Sequence, residues 1–249
     1  RVLSIAGTDP TGGAGAQADL KAIAAAGGFG LSVITALVAQ NTQGVREIHT
    51  PPQTFLRAQL DAVFDDVQVD SVKIGMLGDA ATTRTVSEYL AAHPVPVVVV
   101  DPVMVATSGD RLLTEDAEEA LRQLIRDHAD VVTPNIPELA VLTGQPVPNT
   151  FDAVIDAGRA YAAEAGVQVL VKGGHLEGGH ASNALVAPNG AVHTVEVARV
   201  DTKNTHGTGC SLSSALATRM VVDSAPDAVT WASQWLHEAI AHADELNVG

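Results

Sequence analysis

The 249 residues carry 29 Asp and Glu against 14 Lys and Arg, a formal net charge of -15. Lacking a basic stripe to neutralise phosphates, the chain excludes nucleic acid as a partner, and no apolar run approaches membrane-spanning length. The composition is 46% hydrophobic but only 3% aromatic, which predicts a core of Val, Ala, Leu and Ile in one domain built on a sheet covered by helices on both faces. Cys210, the single cysteine, rules out an internal disulfide and fits a reducing cytosol. The chain starts at Arg1 directly in an apparent strand, with no charged-then-apolar leader, so upstream residues are expected to be missing.

Val2 to Ala6 reads as a short buried strand, Gly7 to Gly15 as a loop, and Ala16 to Ala26 as an alanine-rich helix closed by Gly27 and Gly28. Leu31 to Ala39 reads as a second strand ending in the polar run Gln40 to Gly44, and Val45 to His49 as a short edge strand. Helices are predicted over Pro52–Phe64, Thr82–Ala92, Glu115–Asp127, Pro137–Leu142, Asp152–Glu164, Gly209–Met220 and Asp227–Ala243. Strands are predicted over Ser71–Ile74, Val97–Val100, Val131–Thr133 and Val167–Val171, and a hairpin joins Ala184–Ala187 to Ala191–Val197 through Pro188-Asn189-Gly190. Alternating strand and helix predict an α/β three-layer αβα sandwich around a mostly parallel sheet, as one domain over residues 1–249.

Ligands of such sheets sit beyond the carboxyl ends of the strands. Polar clusters fall there: Asp9 to Gly15, Gln40 to Gly44, Gly75-Met76, Asp101-Pro102, Thr133 to Glu138, and Lys172 to His175. The most telling stretch is Thr202 to Ser214, where Gly207 and Gly209 run straight into a helix. Its free N–H groups from Gly207 to Cys210 would point out of the positive helix end as an oxyanion or phosphate cradle. Gly13-Ala-Gly15-Ala-Gln-Ala18 matches a dinucleotide fingerprint, but the strand lies too far upstream and the second strand lacks the ribose-binding carboxylate. No G-x-x-x-x-G-K-[ST] run exists.

Each candidate carries a bland alternative. Asp9 is either a substrate ligand or a turn residue satisfying its own backbone. Asn135 and Glu138 are either a helix start or oxygen ligands, direct or through water, for Mg²⁺. Asp101, closing a buried Val run, is a metal or phosphate-centre candidate. Lys172 and Lys203 compete to pair with polyphosphate oxygens. Cys210 is either a small buried residue, the commoner place for a lone cysteine, or, at a helix N-terminus, a thiol of depressed pKa that accepts a proton from an acceptor hydroxyl. His175 and His180, flanking Glu177, read as a loop over the ligand. His237 and His242, five apart, lie about 140° around a helix and cannot share a metal. Trp231 and Trp235 read as core or an oligomer face, and serine hydrolysis is excluded for want of a G-x-S-x-G elbow.

Read together, Ile5 to Lys21, Ser32 to Thr42, Lys73-Ile-Gly-Met-Leu77, Asp101-Pro-Val-Met104, Thr133 to Glu138, Lys172-Gly-Gly-His175 and Thr205-His-Gly-Thr-Gly-Cys210 resemble the bacterial hydroxymethylpyrimidine/phosphomethylpyrimidine kinases of thiamine biosynthesis, in the ribokinase-like superfamily. The resemblance runs in order over nearly the whole chain. It implies an ATP- and Mg²⁺-dependent kinase for 4-amino-5-hydroxymethyl-2-methylpyrimidine and then for its monophosphate. By this resemblance Gly7, Ala14, Val38, Gln40, Met76 and Val103 bind the pyrimidine, and Asn135 and Glu138 organise Mg²⁺; the residue-by-residue reading adds Asp9 at the substrate and Asp101 at the metal. By the same resemblance Lys172 would hold the phosphates and Gly207, Thr208, Gly209 and Cys210 the transferring phosphoryl; Lys203 and Thr205, close before the cradle, are added with Gly207 and Gly209 as ATP-binding candidates. A pyridoxal kinase of the same lineage is the alternative, and Gln40-Asn41 favours the pyrimidine. A non-catalytic binding protein would show a damaged cradle, which this chain does not. A homodimer in the cytoplasm is expected. The chain stops at Leu246-Asn-Val-Gly249 where relatives continue, so a trimmed end or fusion to another thiamine enzyme is also expected.

Overall fold

The computed structural model describes residues 1–41, 44–104, 113–175 and 181–246. Strand β1 (Val2–Ala6) leads through the glycine loop into α1 (Gly15–Ala25) and β2 (Gly30–Ile34). Then come β3 (Leu37–Asn41), β4 (Gly44–His49), α2 (Gln53–Phe64), β5 (Ser71–Ile74), α3 (Ala80–Ala92) and β6 (Val98–Val100). The second half runs α4 (Glu115–His128), β7 (Val131–Val132), α5 (Ile136–Thr143), α6 (Phe151–Ala165), β8 (Gln168–Lys172), β9 (Asn183–Val186), β10 (Val192–Val195), α7 (Thr208–Arg219) and α8 (Ala225–Ala241).

Eight strands form one sheet in the order β10-β9-β8-β7-β6-β5-β1-β2. From β2 to β8 all neighbours are parallel, and β9 and β10 close one edge as the anticipated antiparallel hairpin. The two-residue side-chain period of each strand feeds two apolar layers. Leu3, Ile5, Val72, Ile74, Val98 and Val100 face one layer under α2 to α6. Val2, Val99, Val131 and Leu170 face the other, with Leu212, Leu216 and Val229 of α7 and α8 and Ile23 of α1. This is the three-layer α/β architecture expected from the sequence. Trp231 and Trp235 stack with centroids 5.9 Å apart, partly buried against the second layer.

The reading of Leu31 to Ala39 as one strand is corrected. The chain leaves the sheet after Ile34, whose main-chain N–H and C=O are both taken by the Gln59 amide. Thr35 N–H then bonds Ala6 O, and Thr8 N–H bonds Ala36 O, which bends the segment across the end of β1. Strand β3 pairs instead with β4 as a separate antiparallel flap, with a register shift between Ala39 and Gln40. Leu37, Val45 and Ile48 of this flap are exposed. Among the described residues no helix is long and apolar enough to cross a membrane.

Candidate active site

Strand order reverses between β1 and β5, since β2 lies on one side of β1 and β5 on the other. Crevices at such switch points, beyond the carboxyl ends of the strands, are where ligands bind in open α/β sheets. The loops after β1 and β5 meet here. A Cβ on Gly7 would lie 2.5 Å from Met76 Cε and 3.7 Å from Val38 Cγ2, so these three residues meet, with the flexible Met76 side chain packed on Gly7. Thr8 Oγ1 accepts from Val38 N–H at 2.9 Å, and Thr35 Oγ1 donates to Met76 O at 2.7 Å. Val38 is buried, and Gln40 and Val103 are half-buried. An open cleft of about 430 Å³ lies against the flap, lined by Thr8, Pro10, Gln17, Leu37, Val38, Ala39, Glu47 and His49. It adjoins the anticipated pocket through Val38 and does not reach Lys172 or Asp101.

The second half of the site is the start of α7. Gly207 caps this helix in the left-handed region, at φ 75°. A Cβ there would overlap the Gly13 carbonyl, so glycine is needed both for the turn and for the close approach of two loops. Gly209, expected to share the turn, is instead helical. A Cβ on it would project between Asp101 Oδ2 and Lys172 Nζ, each 3.6 Å away. Thr208 N–H reaches Thr205 O at 3.3 Å and Ser211 N–H reaches Gly207 O at 2.9 Å. Among the described residues the main-chain N–H groups of Gly209 and Cys210 have no main-chain acceptor, which leaves them to an anion. Upstream, Thr202 Oγ1 and Asn204 Nδ2 both donate to Asp244 Oδ1 at 2.6 Å, tying down the approach to the helix. Thr205 and Lys203 are exposed on that approach.

Lys172 ends β8 and sits 3.5 Å from Asp101 Oδ1, while Thr133 Oγ1 donates to the same oxygen at 3.0 Å. Ser213 Oγ lies 3.4 Å from Asp101 Oδ2. Asn135 and Glu138 form a reciprocal capping box on α5: each main-chain N–H donates to the other's side chain at 2.8 Å. The oxygens assigned to a metal from sequence are therefore engaged in a helix start, with the Met104 N–H adding to Glu138. Burial pushes the Glu138 carboxyl up to about 7, against the pull of the Lys172 ammonium and helped by the Asp101 charge. Among the described residues no three His, Cys, Asp or Glu side chains cluster as a metal cage. Two nearly buried carboxylates, Asp101 and Glu138, suit a cation that keeps most of its waters and leans on substrate phosphates, as Mg²⁺ does.

Two expectations are revised. Asp9, assigned to the substrate, has no solvent exposure. It accepts from Thr11 N–H and Oγ1, from Ala14 N–H and from His206 Nε2, all between 2.8 and 2.9 Å. Despite burial, these bonds hold its carboxyl below the usual range, and its role is to shape the glycine loop around Ala14 and lash it to the cradle. The Cys210 thiol is not depressed. Burial around the sulfur pushes it up to about 11, although the residue as a whole keeps partial exposure. Lys73 pulls the other way, and Asp19 and Asp101 reinforce the rise. The helix end alone does not outweigh that desolvation. Glu177 and His180 lie outside the described residues, as does the side chain of His175.

A family model described as phosphomethylpyrimidine kinase matches residues 9–249. The chain belongs to the phosphomethylpyrimidine kinase family. A hydroxymethylpyrimidine/phosphomethylpyrimidine kinase of Salmonella typhimurium is 48% identical over 99% of this chain and 93% of that protein. The thiamine biosynthesis multifunctional protein ThiED of Corynebacterium efficiens is 62% identical over all of this chain, which spans only 34% of that protein's length. Among solved structures, phosphomethylpyrimidine kinase from Clostridium difficile superposes with a TM-score of 0.84 at 36% identity, covering 96% of this chain and 98% of that one. An ADP complex of Bacillus subtilis pyridoxal kinase superposes at 0.90 with 28% identity, covering 99% and 98%.

Within this phosphomethylpyrimidine kinase fold, sequence reasoning gave no role to Lys73, Asp19, Ser4, Ser214 or His206. A usable signal existed for Lys73: a lysine between Val72 and Ile74 in a short apolar strand has no bland place to go.

Proposed function

We propose that the chain transfers the γ-phosphoryl of ATP to the hydroxymethyl group of 4-amino-5-hydroxymethyl-2-methylpyrimidine, and then to the resulting monophosphate. The observation that carries this reading is the convergence of two half-sites at the strand ends. Gly7, Val38 and Met76 meet on one side, where a flat ring would need the flexible Met76 side chain to swing away, and the unpaired Gly209 and Cys210 amides stand beside Lys172 to hold a phosphoryl group.

Phosphoryl transfer asks mainly for alignment and for charge stabilisation on the equatorial oxygens. The helix amides and the Lys172 ammonium supply both in a partly desolvated site. Mg²⁺, held through water by Asp101 and Glu138, would add charge neutralisation on the phosphates. Asn135 acts by fixing Glu138 rather than as a ligand. Cys210 is the group at the cradle able to take the hydroxyl proton once ionised. Its raised pKa makes the thiolate scarce at neutral pH but a stronger base when formed. Lys203 and Thr205 would meet the nucleotide on the open side.

A coupled ADP-release assay run side by side on the hydroxymethylpyrimidine, its monophosphate and pyridoxal tests the reading. Turnover of both pyrimidines is expected, and turnover of pyridoxal alone would replace the substrate. Gln40→Leu is expected to lose pyrimidine turnover while ATP still binds; unchanged turnover removes Gln40 from the pocket. A homodimer, and a further thiamine enzyme joined to this one, belong to the same reading, with light scattering as the test of the first.

A further inference from the structure

Among the described residues Lys73 is the only cationic side chain with no exposure. Its neighbours Val72 and Ile74 face the layer under α2 to α6, so the strand period turns it to the opposite face, under α1 and α7. There its Nζ donates to Asp19 Oδ1 at 2.7 Å, with both side chains fully buried. Ser4 Oγ, from the register partner of Lys73 on β1, donates to Asp19 Oδ2 at 2.6 Å. Ser214 Oγ donates to Oδ1 at 2.8 Å. A buried pair of this kind is weak evidence for stability, since apolar side chains of the same volume often serve as well.

What the pair lies beneath supplies its reason. Asp19 follows Gly15 by four residues on α1, and Ser214 follows Cys210 by four on α7. The pair is therefore about one helical turn, roughly 5 Å, below the level of Cys210. The Gly15 main-chain N–H meets the Cys210 sulfur from that same level. The Lys73 ammonium itself reaches the end of its strand, because a Cβ on Gly75 would lie only 2.9 Å from Nζ. The charged groups acting on Cys210 are Lys73 from β5, Asp19 from α1 and Asp101 after β6, with Lys172 of β8 and Glu138 of α5 beyond Asp101. Of the three that act on it directly, two are anions and Lys73 is the lone cation.

We propose that Lys73 is the built-in counter-charge of the Cys210 thiolate, held in place by Asp19, Ser4 and Ser214. This rests on the kinase reading. In the transfer step the substrate hydroxyl oxygen bonds the γ-phosphorus, and the bond from that phosphorus to the bridging oxygen breaks, its electron pair leaving on ADP. The hydroxyl proton goes to the Cys210 sulfur, turning thiolate to thiol. Lys73 touches neither substrate nor nucleotide; it is a positioning residue that acts through the sulfur.

Because Cys210 is the only cysteine of the chain, alkylation by iodoacetamide across a pH series reads its thiolate alone. Lys73→Met is expected to move the alkylation midpoint upward by about one unit or more, roughly a tenfold loss of thiolate at fixed pH. Its kcat should fall in step and recover as pH rises, with KM for MgATP unchanged. Should that variant fail to fold with Asp19 unpaired, the double variant Lys73→Met, Asp19→Asn keeps the cavity neutral. It should shift the midpoint in the same direction by less, since Asp19 opposes the thiolate. An unmoved midpoint in either folded protein overturns the proposal. A moved midpoint in an enzyme that turns over no pyrimidine sustains the pairing and sinks the substrate reading instead.

Discussion

Two lysine–aspartate pairs stand on the same sheet and do opposite things. Lys73 and Asp19 meet at 2.7 Å with every neighbouring position filled by Ser4 and Ser214. Lys172 and Asp101 stand 3.5 Å apart at the rim, each 3.6 Å from where a Cβ on Gly209 would lie. The closed pair has nothing left to offer a ligand except its field. The open pair is under-satisfied, and a polyphosphate with its cation would complete it. Each carboxylate has three neighbours able to donate; the difference is closeness, 2.6 to 2.8 Å around Asp19 against 3.0 to 3.5 Å around Asp101.

The sharpest way to break the comparison is to unpair the closed member. Asp19→Ala leaves a buried ammonium with no partner and is expected to cost about 3–5 kcal/mol of folding free energy, read by urea denaturation. A loss below one kcal/mol would mean that water reaches the pair. Lys172→Met, at the open pair, should leave stability within about one kcal/mol while kcat falls by on the order of a hundred- to a thousandfold. If stability collapsed and residual activity stayed high, the two pairs would have been assigned the wrong way round. Cys210→Ala should lower kcat by about a hundredfold with substrate affinity kept, as removal of a proton acceptor does; full activity would refute the base.

The smallest effect lies in Glu138. Its folded carboxyl titrates at about 7, above its ordinary 4.5, so the folded state binds the extra proton. That contribution to stability is complete below 4.5 and is lost as pH rises through 7. Glu138→Gln should flatten thermal stability across that window, and MgATP should stabilise the wild type more at pH 8 than at pH 6. Equal stabilisation at both would remove Glu138 from the cation site.

The sheet and its helices were legible because period and punctuation agree: Val98-Val-Val100 can be only a buried strand, and Gly144 and Gly166 end their helices in the left-handed region as glycine does. The break after Ile34 was not, since Thr35 and Ala36 carry no turn signal. It is made by the distant Gln59 amide and the Met76 carbonyl. The cradle could be read from its glycines, but which atoms were already spent could not. Asp9 and Asn135 looked like ligands by residue type, and only their bonding to His206 and to Glu138 N–H gives them to the scaffold. The thiol failed for a related reason: a helix end is visible in sequence, whereas Asp19, Asp101 and the desolvation around the sulfur are assembled by the fold.

The bond from His206 to Asp9 joins residues 197 apart, and that from Ser214 to Asp19 joins residues 195 apart. The glycine loop before α1 and the start of α7 thus complete one another across most of the domain, so the candidate site closes only once both have been made. Closing contacts so distant in sequence is the slow kind of folding.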